Sequence, residues 1–285
     1  MRKLVYLFIY IAALVMAAGC GGGKKPSYDK TIFVSIAPIK PLVEAIVGDE
    51  FTVEVLVPAG ASPETFELTA KQFVALNESV MVCGTGLLDF ERSLLERIYD
   101  QSKVINLSVG IDVIAGSCSH THHGHKCTHG IDPHIWCSPK SLSVMAKNIY
   151  NALVAAMPER DFQAGYTALN ERINRLDADV TQLCSEASLP YFIIYHPALT
   201  YIARDYNLEQ VAIEAEGKEP SAKRIAQIIE RARRDGIKRV FYQSEFPQSS
   251  VAVVAEDIGA NAVEINPLDE NVFDSILAMV TLITE

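Results

Sequence analysis

The 285-residue chain has no surplus of positive charge: 25 Lys and Arg stand against 35 Asp and Glu, a formal charge of −10. That balance excludes the basic footprint of a nucleic-acid binder and favours cations over phosphates as partners. Enzyme signatures are missing as well. There is no H-E-x-x-H, no G-x-S-x-G, no P-loop and no G-x-G-x-x-G, and Gly84-Thr85-Gly86 stops short of the third glycine. Sixteen Gly and thirteen Pro are ordinary totals, so collagen-like and low-complexity readings fail. Beyond residue 18 no apolar run approaches the roughly 20 residues that span a bilayer. What is present is 49% hydrophobic residues, enough to build cores in one large or two medium domains.

The N-terminus reads as an address. Arg2 and Lys3 precede an apolar run, Leu4–Ala18, which ends in Ala17-Ala18-Gly19-Cys20. Small residues before a cysteine predict a bacterial lipoprotein signal, with cleavage before Cys20 and lipid on its sulfur. The polar, glycine-rich stretch Gly21–Pro26 then serves as a tether. The expectation is a protein exported and lipid-anchored to a bacterial membrane, facing the periplasm or cell exterior.

From Thr31 onward, short apolar runs alternate with amphipathic stretches. TIFVSIAP (31–38), FTVEVLVP (51–58), VMVCG (80–84) and KVINLS (103–108) read as strands. PLVEAIVG (41–48), AKQFVALNES (70–79) and LLDFERSLLERIYDQ (87–101) read as helices between them. Such alternation predicts a parallel sheet with helices on its faces. Residues 138–187 are helical nearly throughout, divided by Pro158, and the second piece spans roughly 40 Å at the helical rise, long enough to join two lobes. The alternation restarts at PYFIIY (190–195), with Ser221 and Gly236 as caps of a later helix. The expected organisation is α/β. A signal covers 1–19 and a tether 20–29. An N-terminal lobe covers 30–158, including a His-rich loop at 116–130. A linking helix follows at 159–187, then a C-terminal lobe at 188–285.

Functional groups of α/β folds collect outside the carboxyl ends of the strands. Glu64 follows one predicted strand, His196 another and Glu245 a third, while His134 precedes the first long helix. One such residue alone is in general a solvated turn residue. Together, two imidazoles and two carboxylates suit Zn²⁺, with Mn²⁺ as the oxygen-tolerant alternative. The stretch Cys118–His129 is denser still, with His120, His122, His123, His125 and His129 in ten positions. It has no core-forming residue and reads as a low-specificity trap for soft or borderline cations. Cys118 and Cys127 bracket it, either as a disulfide clasp or as metal ligands. Cys83 sits in a predicted core strand as a buried thiol.

Five segments, VSIAPIKPLVEAIVGD (34–49), GASPETFELTAKQ (60–72), GIDPHIWCSPK (130–140), EGKEPSAKRI (216–225) and INPL (265–268), resemble the metal-binding proteins of bacterial zinc and manganese ABC importers, the ZnuA/TroA-like group. The likeness runs from about Ile32 to the C-terminus. It implies two Rossmann-like α/β lobes bridged by a long rigid helix, with a metal between them and little domain closure. It implies as partners a permease and its ATPase, with the chain a monomer; the alternative is an extracytoplasmic zinc metalloenzyme, or an adhesin-like surface protein using the same fold. The family's ligands are usually three His and often a carboxylate. His134 and His196 match two of these positions, and Glu64 stands where the first His is usual. No clean counterpart of the acidic ligand is present. Glu245 is the choice from strand-end placement, and Asp269 is second.

Overall fold

The fold is that of a computed structural model, which describes residues 27–115, 130–214 and 220–285. Cys20, Cys118, Cys127 and the five histidines from His120 to His129 lie outside the described residues, as do residues 215–219, which include the start of the EGKEPS segment.

The first lobe runs β1 (Thr31–Val34), α1 (Lys40–Val47), β2 (Thr52–Val55), α2 (Ala70–Glu78), β3 (Met81–Gly84), α3 (Asp89–Leu95) and β4 (Val104–Asn106). Its strands pair in parallel in the order β2-β1-β3-β4. Two long helices follow, α4 (Pro139–Ala156) and α5 (Gln163–Ser185). The second lobe runs β5 (Tyr191–Ile194), α6 (Thr200–Asp205), β6 (Glu209–Ala212), α7 (Ala222–Asp235), β7 (Arg239–Gln243), α8 (Ser249–Ile258), β8 (Asn261–Ile265) and α9 (Val272–Thr284). Its strand order, β6-β5-β7-β8, repeats the first. In each sheet the chain's first strand, fully buried along its length, lies inside the sheet where the order reverses. That reversal opens a crevice at the strand ends.

Local chemistry sets the element ends. Thr69 and Gln72 form a reciprocal capping box at the start of α2. Ser221 accepts from Arg224 N–H at the start of α7, and Gly236 closes that helix at φ +73°, as the sequence predicts. Two expected helices are shorter than read. The 87–101 helix ends at Leu95, and Tyr99 N–H goes instead to the Asn77 side chain at 3.0 Å. The linking helix begins at Gln163 rather than Glu159, because the Asp161 carboxylate accepts from Gln163 N–H at 2.9 Å and starts the helix there. It has 23 residues, a length of about 35 Å.

Leu169, Ile173, Leu176, Val180 and Cys184 form one buried stripe along α5 at helical spacing. Truncating such a side chain costs about 2–5 kcal/mol. The helix packs on α1 and α4 on the first-lobe side and on α9 of the second. Gly165 is a poor helix former, kept because a Cβ there would lie 2.6 Å from Ala45 C=O of α1. A single apolar cluster runs from Ile32 and Leu42 through Leu169 and Ile173 to Phe241, Ile276 and Val280, so one core spans both lobes. Among the described cysteines, Cys83, Cys137 and Cys184 are all buried free thiols. Burial pushes Cys83 up to about 12, the inert core thiol expected of it. No described helix is long and apolar enough to cross a membrane.

Candidate metal centre

Strand ends and one turn bring the site together. His196 follows β5, and its peptide is clamped by Gln243 at the end of β7. Gln243 Nε2 donates to His196 C=O at 2.6 Å, and its Oε1 accepts from His196 N–H at 3.4 Å. The imidazole is held by Glu214, which follows β6, with Nδ1 to Oε2 at 3.0 Å. His134 stands before the single turn Ile135–Cys137 that leads into α4. Asp132 Oδ1 accepts both its backbone N–H at 2.9 Å and its Nδ1 at 2.8 Å. A carboxylate can only accept, so each Nδ1 carries the proton, and in the neutral ring each Nε2 is left with a lone pair.

A third side chain approaches the two rings. Glu64 Oε1 lies 3.3 Å from His196 Nε2, and the two rings stand 5.1 Å apart, edge to face. One donor atom from each of Glu64, His134 and His196 falls within 4.8 Å of the others, the metal-ligand group found among the described residues. A Zn²⁺ shared by the three would be held at about 2.0–2.2 Å from each donor atom. The imidazoles are 12% and 13% exposed against 50% for Glu64, so the carboxylate forms the wet side of the site.

The cleft is built by both lobes. Pro63, Leu88 and Trp136 line it from the first, and Glu245, Phe246 and Pro267 from the second. Phe246 stacks on the His196 ring at 5.5 Å, and Trp136 Nε1–H donates to Pro267 C=O at 2.9 Å across the lobes. Burial lowers the His196 pKa, but the hydrogen bond to Glu214 and the charges of Glu64, Glu214 and Asp132 outweigh it, leaving a net rise. Burial pushes the Glu245 carboxyl above its ordinary range, against the pull of its own backbone N–H and of both histidines. Burial opposes ionisation of Asp132, yet the His134 charge and hydrogen bonds hold it below the usual range. Four carboxylates around two imidazoles favour a divalent cation.

The structure thus places Glu64, His134 and His196 together and Glu245 in the same cleft, outside the three-donor group. Asp269 is elsewhere. It accepts from Asn271 N–H at 2.8 Å and Asn266 Nδ2 at 3.4 Å in the turn before α9, and does not line the cleft. Three residues that sequence reading did not single out complete the site: Asp132, Glu214 and Gln243. Glu214 and Gln243 satisfy the same strand-end rule that nominated the others. Asp132 gave no signal beyond standing two residues before His134.

The family model described as "Zinc-uptake complex component A periplasmic" matches residues 32–281. The zinc-binding lipoprotein AdcA of Streptococcus pneumoniae is 28% identical over 94% of this chain, which spans only 56% of that protein's length. A crystal structure of ZnuA superposes with a TM-score of 0.80 at 31% identity, covering 90% of this chain and 98% of that one. A 138–173 deletion mutant of ZnuA with zinc bound superposes at 0.81 with 32% identity and the same 90% of this chain. The family so described is an uptake component and not an enzyme family.

Proposed function

This chain belongs to the zinc-uptake complex component A family, and on that footing we propose that it captures Zn²⁺ in the cleft between its lobes and delivers it to an ABC permease driven by a partner ATPase. The observation that carries this reading is the convergence of Glu64, His134 and His196 from three chain segments and both lobes, with each imidazole backed by a carboxylate. The donors are neutral nitrogens and one anionic oxygen, a set that suits borderline Zn²⁺ and tolerates Mn²⁺. Glu245 is the fourth candidate donor, poised at the cleft wall.

In this reading the chain is a monomer tethered outside the cytoplasm by lipid on Cys20. His120, His122, His123, His125 and His129 form an auxiliary store that raises the local zinc concentration only a few residues from His134. Cys118 and Cys127 either clasp that store or join it as ligands.

Metal analysis of protein purified without chelator, followed by competition between zinc and manganese, tests the proposal. One equivalent of zinc that a manganese excess does not displace is the expected result. Stoichiometric manganese in its place turns the reading toward a manganese carrier, and no tight metal at all sinks it.

A further inference from the structure

Helix α6 follows the turn that carries His196, yet three of its polar residues reach the opposite lobe. The Arg204 guanidinium donates to Asp112 C=O. The Asp205 carboxylate accepts from Ser138 Oγ at 2.5 Å, and its carbonyl from Lys140 Nζ at 2.9 Å. Tyr201, with no exposed surface, reaches furthest. Its hydroxyl donates to Asp132 C=O at 2.7 Å and accepts from Ile114 N–H at 3.2 Å. Asp132 N–H in turn donates to Ile114 C=O at 2.9 Å.

The Asp132 peptide is therefore fixed at both of its polar ends, one by its own lobe and one by Tyr201. The same residue's carboxylate fixes the His134 ring. Tyr201 itself lies five residues beyond His196 on the same segment. Resting on the cleft as the metal site, we propose that Tyr201 is a positioning residue for metal capture. By holding Asp132 it sets the separation and orientation of His134 relative to His196. It touches neither imidazole and acts only through Asp132. A buried phenol suits this task. It has one proton to give and lone pairs to accept with, and both are used here in fixed directions. Burial pushes it up to about 12, so it stays a donor throughout the physiological range.

The experiment compares full-length wild type with Tyr201→Phe, which keeps the buried ring and deletes only the hydroxyl. Ser138→Ala is the control, because it removes another interlobe hydrogen bond of α6 without touching Asp132. Zinc affinity is read by chelator competition, and donor geometry by the visible absorption bands of Co²⁺ in the zinc site. Removing outer partners of metal ligands costs about 10–100-fold in affinity, and Tyr201, one step further out, falls near 10-fold. Tyr201→Phe is expected to show that loss together with shifted Co²⁺ bands, while Ser138→Ala lowers thermal stability and leaves both unchanged. Adding Tyr201→Phe to Asp132→Asn should cost far less than tenfold, since the residue through which it acts is already altered. Unchanged affinity and Co²⁺ bands in Tyr201→Phe overturn the inference. So does an equal loss in Ser138→Ala, or full additivity with Asp132→Asn. A wild type that takes up neither Zn²⁺ nor Co²⁺ removes the metal reading itself, before any substitution is made.

Discussion

The two lobes share one topology but equip the cleft differently. The second lobe offers His196 on a strand end, its peptide clamped by Gln243 and its ring by Glu214. The first offers His134, equally held by Asp132, and also Glu64, which is half exposed on a turn. Its backbone N–H donates to Ser62 Oγ at 3.3 Å, while its carboxylate makes a 3.3 Å contact with His196 Nε2 and stands half exposed. The difference separates two kinds of donor. The imidazoles are pre-positioned, so their ordering cost is met in folding. In the proposed site Glu64, the more exposed donor, would be ordered only on metal binding.

Removing a pre-positioned donor should therefore have the largest effect. His134→Ala and His196→Ala are each expected to abolish tight one-to-one zinc binding in calorimetric titration, because two first-layer donors cannot hold the ion against water. Wild-type affinity in either variant would break the comparison at its root. Next come the groups that hold the rings. Glu214→Gln should weaken zinc by about 10–100-fold and leave the stoichiometry at one, as expected for outer partners of metal-binding histidines. If Glu214→Gln binds as tightly as wild type, His196 owes its position to Gln243 and Phe246 alone.

The sequence revealed these donors unevenly, and the physics explains why. Alternating apolar runs found the four strands of the first lobe and β5, since burial on both faces leaves continuous apolar stretches such as YFII at 191–194. Strand-end placement nominated Glu64, His196 and Glu245, which line one cleft. It was not extended to Glu214, while Asp269, the second choice, serves the local turn before α9. The start of α5 was misjudged by four residues, because Asp161 ends the turn after Pro158 in a way periodicity does not register. Tyr201 was invisible for a different reason. Its partner Asp132 lies 69 residues away, and only the docking of the lobes brings them together.

Protons sharpen the contrast further. The His196 pKa is raised above the unfolded value, so its charged form is favoured by folding. In metal-free protein that stability is fully present below about pH 6.5, the free imidazole value, and is lost as pH rises through the folded pKa. Zinc needs the neutral ring, so the bound state follows the opposite course. Thermal melts across this window should show the metal-free protein losing stability with rising pH while the stabilisation by zinc grows. Replacing Glu214 by Gln should flatten the metal-free trend. Parallel curves with and without zinc would mean that His196 does not exchange its proton for the ion.

The smallest effect belongs to Glu64, and its sign discriminates most. Glu64→His replaces a mobile oxygen donor with an imidazole and removes one negative charge from the mouth of the cleft. A third nitrogen suits Zn²⁺ better than it suits Mn²⁺, which prefers oxygen. The charge lost reduces attraction for both ions alike, by a term that salt screens at an exposed position. Zinc affinity should then hold or rise slightly, while manganese affinity falls, and the ratio between them widens. The rate of capture at low salt should drop modestly, because the wet carboxylate no longer draws the cation in. Competition titrations at two salt concentrations read both effects. If zinc binding disappears in Glu64→His, the turn cannot seat an imidazole against His196. Glu64 would then be a fixed ligand rather than the adaptable one its exposure implies.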